Sequence, residues 1–402
     1  MSTSSPPPSI MNTLELRATI SLASVFALRM FGLFMIMPVF SVYARTIPGG
    51  DNAVLVGVAV GIYGLTQAAL YIFYGWLSDC IGRKPVIVSG LAIFAFGCAV
   101  AACANNIYWI IAGRALQGAG AISSAVLALI VDLTTESNRT KAMAIVGGSI
   151  GASFGVAIVV APLLYTVIGM SGLFTAIGIL SVLAIAVVLW IVPNPKLPPL
   201  HIKAHFNEVF HHCELLRMNF SVFALHATQS ALFVVVPRIL VGAGLPISSH
   251  WKIYTPVMVL AFMLMIPAII IAEKRGRMKS MMLWSIIAIL ISPIVLSQVR
   301  HTAIAVATAL LIYFTGFNIL EVSQPSLVSR LALGTRKGAA MGIYNTAQAL
   351  GFALGGVMGG WLLKLYSDTA VFYACFILVF SWLIIAIPMR IPLTVNSYSE
   401  VH

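Results

Sequence analysis

Ionisable residues inside long apolar stretches are the first sign of chemistry in this sequence. Glu321 is the one acid that lies well inside such a stretch. A carboxylate in an apolar environment is costly unless it is protonated, paired or facing water. Burial also disfavours its ionised form, so Glu321 could bind and release a proton near neutral pH. The sequence therefore predicts a proton-carrying acid, and a protonated packing residue is the alternative.

Two arginines, Arg29 and Arg114, also lie within apolar stretches. An arginine cannot lose its charge, so each must face a cavity or a partner. Arg29 lies about 12 residues into its stretch, or roughly 18 Å along a helix. One deep acid and two deep arginines could leave the interior net positive, which favours anionic or neutral ligands over cations. His226 is a weaker candidate, because a lone histidine in a helix is more often a hydrogen-bonded packing residue than a proton relay.

The elements that hold these residues follow from composition. The chain of 402 residues is 60% hydrophobic and only 8% charged, whereas a soluble domain carries about 25% charged residues. Too little charge is present to cover a water-facing surface, so the surrounding solvent must be largely lipid. The net charge of +12 would suggest nucleic acid in a soluble protein, but the basic residues lie in short loops between apolar runs. We therefore expect no nucleic-acid partner.

Twelve apolar runs are long enough to cross a bilayer, which takes about 20 residues. They cover residues 17–44, 53–77, 86–104, 107–131, 142–167, 171–192, 217–242, 252–273, 280–298, 302–330, 339–364 and 369–390. The longest polar stretch follows the sixth run and divides the chain almost in half. The sequence predicts an all-α membrane protein with two six-helix bundles. Its parts are a tail at 1–16, a bundle at 17–192, a linker at 193–216, a bundle at 217–390 and a tail at 391–402.

The orientation follows from the charges of the loops. With the N-terminus in the cytoplasm, the cytoplasmic loops and tails hold sixteen Lys or Arg residues. The opposite side holds four, at Arg45, Lys252, Arg300 and Lys364. Because cytoplasmic loops carry an excess of basic residues, both termini and the linker are expected in the cytoplasm. We predict a multi-pass protein of the cell inner membrane.

Short motifs then indicate a family. Residues 75–84 (GWLSDCIGRK) resemble motif A of the major facilitator superfamily, and 114–120 (RALQGAG) resemble its motif B. A degenerate motif A recurs at 273–277 in the second half. Three further segments are similar to the YajR-like branch of the drug:proton antiporters: 28–38, 316–321 and 337–346. Because the chain ends at His402, we expect no soluble domain after the twelfth helix.

The resemblance implies a conformational latch. Its expected members are Gly75, Asp79, Gly82, Arg83, Asp132 and Glu136. In the family, the motif A acid, here Asp79, faces the N-terminus of the eleventh helix, whose dipole attracts negative charge. The arginine pairs with acids at the end of the fourth helix. Ordinary solvated loop charges are the alternative. The resemblance also associates the motif B arginine, Arg114, with proton transfer through a nearby acid.

The function expected from these features is proton-coupled export of small amphipathic or drug-like molecules by alternating access. A proton gradient supplies the energy, with no cofactor and no metal site. The partners are a small-molecule substrate, protons and the lipid bilayer, and we expect a monomer. The residues expected at the substrate cavity are Tyr63, Tyr254, Tyr313, Asn318, Tyr344 and Asn345, with helical packing as the alternative role. No phosphate-binding loop or nucleophile elbow is present, so the protein is not expected to be an enzyme.

Two alternatives remain open. The fifth run should contain the antiporter motif, a glycine-rich run that ends in GPxxGG. Here Ala161-Pro162 replaces the GP of the motif, and the two final glycines are missing. An importer or facilitator of a small metabolite is therefore possible. A membrane sensor that has lost transport is the other alternative. The intact Asp79, Arg83, Arg114 and Glu321 argue against it.

Overall fold

The computed structural model describes residues 11–194, 212–298, 302–332 and 337–390. The described part is helical apart from short connections, and it contains no strand. The helices are α1 Thr13–Tyr43, α2 Ala53–Ile81, α3 Arg83–Ala102, α4 Ile107–Ala119, α5 Ser123–Leu133, α6 Glu136–Ala186, α7 Cys213–Gly242, α8 Trp251–Lys274, α9 Met278–Gln298, α10 Ala303–Leu331, α11 Lys337–Leu365 and α12 Asp368–Ala386. Most of the predicted linker and both outer tails lie outside the described residues.

Polar residues mark where several of these apolar helices begin. The Asn12 side chain accepts from the Glu15 amide at 2.8 Å, and Asn52 accepts from the Val54 amide at 3.1 Å. Asn106 caps α4 in the same way. Each cap satisfies backbone donors that the first turn of a helix leaves without partners. Local sequence therefore fixes the starts of these helices, while the apolar runs fix their lengths.

One predicted run differs in the structure. The fourth run is broken after Ala119, and α5 begins at Ser123. At the break, Gly120 lies so close to the Gly90 carbonyl of α3 that a side chain would collide with it. The fifth and sixth runs are two helices that meet at a kink at Gly169, where φ is +65°, and α6 denotes both. Glycine reaches that backbone conformation without strain.

The number of spans agrees with the twelve predicted. Eleven helical segments of the described chain are long and apolar enough to cross a membrane. One of them, Lys141–Ile191, has 51 residues. At 1.5 Å per residue, about 20 residues suffice for one crossing, so the bend in α6 separates two spans. The predicted all-α membrane fold is confirmed.

The first bundle packs α1 on α6 and α3 on α4 and α6, and the second packs α7 on α11 and α12 and α8 on α10. Between the bundles, α2 lies along α11. Gly57 faces Gly356 and Gly360, and Gly61 faces the Ala353 carbonyl, so closely that added side chains would collide. Small residues at such spacing let membrane helices approach closely. The two bundles therefore meet through backbone contact along α2 and α11.

This contact lies toward one end of the molecule. We call the end with the α2–α3 turn at Gly82 the basic end, and the end with the turns at Gly49 and Gly244 the far end. The paired glycines of α2 and α11 occupy the far half of both helices. The bundles are thus in direct backbone contact in the far half of α2 and α11.

Candidate functional site

An acid and a histidine meet inside the second bundle. Glu321 of α10 places Oε2 3.4 Å from Nε2 of His226 on α7. Both are buried, with 6% and 2% of their surface exposed. His226 Nδ1 lies 3.1 Å from the Val222 carbonyl, which accepts a hydrogen bond if Nδ1 carries the proton. In that neutral tautomer Nε2 is an acceptor, so the contact with Glu321 is a charged pair only when both ring nitrogens carry a proton.

Gln348 of α11 completes this cluster. Its Nε2 lies 2.8 Å from His226 Nε2 and donates to Glu321 Oε1 at 3.5 Å. One turn nearer the basic end, the Tyr344 hydroxyl donates to Gln324 Oε1 at 3.3 Å. Gln348 was not among the predicted residues, although a glutamine inside an apolar run is itself a signal of internal hydrogen bonding. The cluster joins α7, α10 and α11.

Arg29 lies in a different cluster, inside the first bundle. Its Nη1 donates to Ser123 Oγ of α5 at 2.8 Å. A guanidinium only donates, so the Gln67 amide of α2 is oriented with its oxygen toward Arg29, 3.0 Å from Nη2 and 3.2 Å from Nη1. The Tyr71 hydroxyl lies within hydrogen-bonding distance of that oxygen and of Ser123. Every one of these partners is neutral.

Arg114 lies beside Arg29, separated from it by an aromatic ring. Its Nη1 donates to Gln117 Oε1 at 2.8 Å, and its Nε donates to the Ala59 carbonyl at 3.4 Å. The guanidinium carbon of Arg114 is 4.8 Å from the centre of the Tyr63 ring, and that of Arg29 is 5.9 Å from it. Such contacts stabilise a cation on an aromatic face. In the described chain, neither arginine forms an ion pair with a carboxylate.

The four residues predicted for proton coupling thus divide into two groups. Glu321 and His226 are together, whereas Arg29 and Arg114 pair with neutral groups elsewhere. Both groups lie at a similar depth, because Gly64 of α2 packs on the Ala349 carbonyl of α11. Ala349 follows Gln348, and Gln67 lies one turn from Gly64. The boundary between α2 and α11 therefore has a cationic cluster on one side and an acidic cluster on the other.

The predicted latch residues meet at the basic end. Arg83 pairs with Asp79 at 2.5 Å and with Asp132 of α5 at 3.0 Å, and it donates to Ser78 Oγ at 2.6 Å. Gly82 turns the chain between α2 and α3 with φ +97°. No hydrogen bond or ion pair joins Asp79 to the described residues of α11. In this structure, Asp79 is therefore paired with the arginine of its own motif.

Two other predicted latch residues contribute little to the contacts that the structure describes. A side chain at Gly75 would only touch Ser124 of α5, at 3.8 Å, and the Glu136 side chain lies outside the described part of the chain. The second half has a related pair at the same end, in which Arg330 Nη2 lies 3.0 Å from Glu273 Oε1. Thus, a charged contact joins the end of the fourth span to the start of the third helix in the first half, and to the end of the second helix in the second half.

The residues predicted for the substrate cavity are mostly packed. Tyr254 and Tyr313 are buried around a void of about 10 Å³ between α7, α8 and α10, which holds at most a water molecule. Asn318 and Asn345 are also buried, and the Nδ2 of Asn318 has no hydrogen-bond partner. Tyr63 and Tyr344 belong to the two polar clusters. In this state, Tyr254 and Tyr313 are packing residues.

Glu15 is a further buried acid that sequence reasoning missed. Its Oε1 accepts from the Thr135 amide at 2.7 Å, and its Oε2 accepts from Asn138 Nδ2 at 2.9 Å and from the Asn12 amide at 3.0 Å. It therefore ties the start of α1 to the start of α6. The spacing Asn12-x-x-Glu15 is a capping-box pattern, which could have identified the residue.

Comparison with known proteins agrees with this architecture. Residues 22–351 match the family model of the Major Facilitator Superfamily. The chain is 42% identical over 388 residues to the inner membrane transport protein YajR of Escherichia coli K12, covering 95% of this chain and 85% of the relative. It is 26% identical to the multidrug resistance protein MdtH of Edwardsiella ictaluri, over 82% of this chain and 83% of the relative.

A solved structure supports the fold itself. The crystal structure of a bacterial homolog to the human lysosomal transporter Spinster, in an inward-facing and occupied conformation, superposes with a TM-score of 0.73 at 11% identity. The alignment covers 95% of this chain and 98% of that one. Two six-helix bundles, motif A at the basic end and these similarities lead to one conclusion. The chain belongs to the major facilitator superfamily of membrane transporters.

Proposed function

We propose that this transporter is proton-coupled and exports small amphipathic or drug-like molecules by alternating access. The observation that carries the proposal is the buried cluster of Glu321, His226 and Gln348. A carboxylate at this depth is stable when it is protonated or paired, and the histidine is a partner whose charge also depends on pH. The name of the MdtH relative, a multidrug resistance protein, favours export over import.

In the proposed mechanism, a proton bound by Glu321 cancels its charge and weakens its attraction for His226. That contact links α10 to α7, and Gln348 links both helices to α11. Since α11 also packs on α2 of the first bundle, a change of charge at Glu321 acts on the boundary between the bundles. The residues of the cluster thus couple proton binding to the relative motion of bundles 17–192 and 217–390.

The excess of basic loop residues supports a cytoplasmic location for the basic end and for both termini. Backbone contact between the bundles at the far end is what an inward-facing state then requires. In the opposite state, the bundles close at the basic end and bring Asp79 toward the start of α11. The positive end of the α11 dipole would then stabilise Asp79.

Transport in proteoliposomes tests the proposal. Purified protein is reconstituted with a pH-sensitive dye inside, and a panel of cationic, neutral and anionic drug-like molecules is assayed with and without a proton gradient. Glu321→Gln keeps the shape and hydrogen-bonding reach of the side chain but cannot titrate. We expect gradient-driven accumulation to fall at least about tenfold, while exchange at equal pH survives.

The matched control is Glu273→Gln, because Glu273 is an acid of the same length whose side chain is 52% exposed. This variant should transport at parental rates. Gradient-driven accumulation that persists in Glu321→Gln would remove the acid from the mechanism, since glutamine mimics only a permanently protonated structural residue.

A further inference from the structure

We propose that Arg29, with Gln67, Tyr71 and Ser123, binds the carboxylate of the transported molecule, so that the substrates are organic monoanions. This inference rests on the proposed transport function and names its substrate class. A carboxylate matches the two parallel donors of a guanidinium. The site is formed by α1, α2 and α5 of the first bundle, away from Glu321.

The first argument is the lack of a counter-ion. Arg29 is 3% exposed, and the described partners of its guanidinium are the neutral oxygens of Ser123 and Gln67. Its Nε has no hydrogen-bond partner. A buried cation in a membrane pairs with an opposite charge or faces water. An anionic ligand would supply the missing charge and could accept from the unused Nε donor.

The second argument is the position of the cluster. Gln67 and Tyr63 lie on the helix that forms the boundary between the bundles, and the Tyr63 ring contacts Phe352 of α11 with centroids 6.4 Å apart. Aromatic rings on both sides of this boundary can contact the apolar part of a ligand.

The third argument concerns the number of charges. Arg114 has two acceptors of its own, Gln117 and the Ala59 carbonyl, and it stacks on Tyr63. It differs from Arg29 in that its Nε is hydrogen-bonded, whereas the Nε of Arg29 has no hydrogen-bond partner among the described residues. One guanidinium with an unused donor and only neutral partners matches a single negative charge. The carboxyl of Glu321 belongs to the opposite cluster, beside His226.

Three small probes test the charge of the ligand. They are 3-phenylpropionate, 3-phenylpropanol and 3-phenylpropylamine, which share an apolar body and differ only in the end group. Thermal unfolding of the full chain is followed in lipid-free detergent as each probe is titrated. We expect 3-phenylpropionate alone to raise the melting temperature, because ligand binding to the folded state stabilises it.

Arg29→Gln should weaken the apparent affinity for 3-phenylpropionate at least about tenfold, which is about 1.4 kcal/mol. Arg29→Lys keeps the positive charge but lacks the two parallel donors of a guanidinium, so its loss of affinity should be smaller. It serves as the second variant if Arg29→Gln does not fold. Arg238→Gln, which removes an arginine of α7 outside the cluster, should bind like the parent.

Glu321→Gln separates this inference from the proposed function. If it still binds 3-phenylpropionate while proton-driven transport is lost, both hold. If proton coupling does not depend on Glu321 but the carboxylate still needs Arg29, only the mechanism of coupling fails. Equal shifts with all three probes, no shift with 3-phenylpropionate, or a shift unchanged in Arg29→Gln would overturn the carboxylate site. A stabilisation seen only with phosphatidylglycerol, and not with the soluble carboxylate, would assign the site to lipid and overturn it as well.

Discussion

The two bundles differ most in their buried charged residues and in the partners of those residues. The first bundle contains two buried arginines and gives them neutral partners, whereas the second contains a buried glutamate and gives it a histidine. Placing opposite charges at a similar depth without joining them is costly, since each remains buried without a full counter-charge. This cost is explained if the compensating charges bind and dissociate during transport. They are a proton at Glu321 and an anionic group at Arg29. Under the proposed function, the bundles divide the chemistry between them.

The basic end has a charged contact in each half. In the first half, Arg83 at the start of α3 pairs with Asp132 at the end of α5. In the second half, Glu273 at the end of α8 pairs with Arg330 at the end of α10. The two contacts use different positions of the repeat, because Glu273 corresponds to Asp79 of motif A and not to Arg83, and the second pair is more exposed. Each half therefore joins its fourth span to a neighbouring helix at the basic end, but through a different residue of the repeat.

The largest expected effect comes from giving Arg29 a buried counter-ion, which removes the difference in charge pairing between the two bundles. Ser123 lies 2.8 Å from Arg29, so Ser123→Asp would give the arginine a permanent counter-ion. We expect transport to fall at least about tenfold and the melting temperature to rise, because the added carboxylate pairs a buried cation. Initial rates in proteoliposomes and thermal unfolding in detergent measure the two effects.

Ser123→Asn is the matched control for this prediction, because asparagine has the same shape as aspartate without the charge. It should not raise the melting temperature. Parental transport in Ser123→Asp would mean that the charge of Arg29 needs no exchangeable partner. The comparison between the bundles would then have no functional meaning.

The sequence predicted the spans and the individual charged residues better than their partners. Apolar runs of about 20 residues locate membrane helices directly, and Glu321, Arg29 and Arg114 were evident because charge is rare in such runs. Gln348, Gln67 and Ser123 were missed. Amides and hydroxyls cost less in a membrane, and their partners lie on helices distant in sequence. The break at Gly120 depends on contact with Gly90 of α3, which no local pattern encodes.

A smaller effect is expected where each bundle anchors its first helix. Glu15 accepts hydrogen bonds from Thr135 and Asn138 and ties α1 to α6. Glu214, near the start of α7, pairs with Arg217 on its own helix and accepts from the Arg390 amide. Hydrogen bonds to charged groups contribute about 1.5–3 kcal/mol. Glu15→Gln should therefore cost about 1–3 kcal/mol of stability.

Glu214→Gln is the matched control, and its melting temperature should fall less than that of Glu15→Gln. The reason is that only one of the two partners of Glu214, the Arg390 amide, is distant in sequence, and its side chain is 16% exposed. Equal losses in the two variants would show that the first helices are anchored alike, and that this part of the comparison between the bundles is wrong.

The smallest effect is expected at the two charged contacts of the basic end. The Arg83 side chain is 10% exposed and that of Asp132 is 25% exposed, whereas Arg330 and Glu273 are 30% and 52% exposed. Exposed ion pairs contribute about 0–1 kcal/mol, and water and salt weaken them further. Asp132→Asn should therefore cost about 1 kcal/mol, because Arg83 loses one of its two acids but keeps Asp79.

Arg330→Gln should cost less, at most about 0.5 kcal/mol. Salt gives an independent measure, because mobile ions screen exposed charges more strongly than buried ones. Raising the salt concentration from about 0.1 M to 1 M shortens the screening length from about 10 Å to 3 Å. This change should remove the small difference between the parent and Arg330→Gln and leave part of the deficit of Asp132→Asn. A larger loss in Arg330→Gln would mean that the second half, despite its exposed pair, depends more on its charged contact.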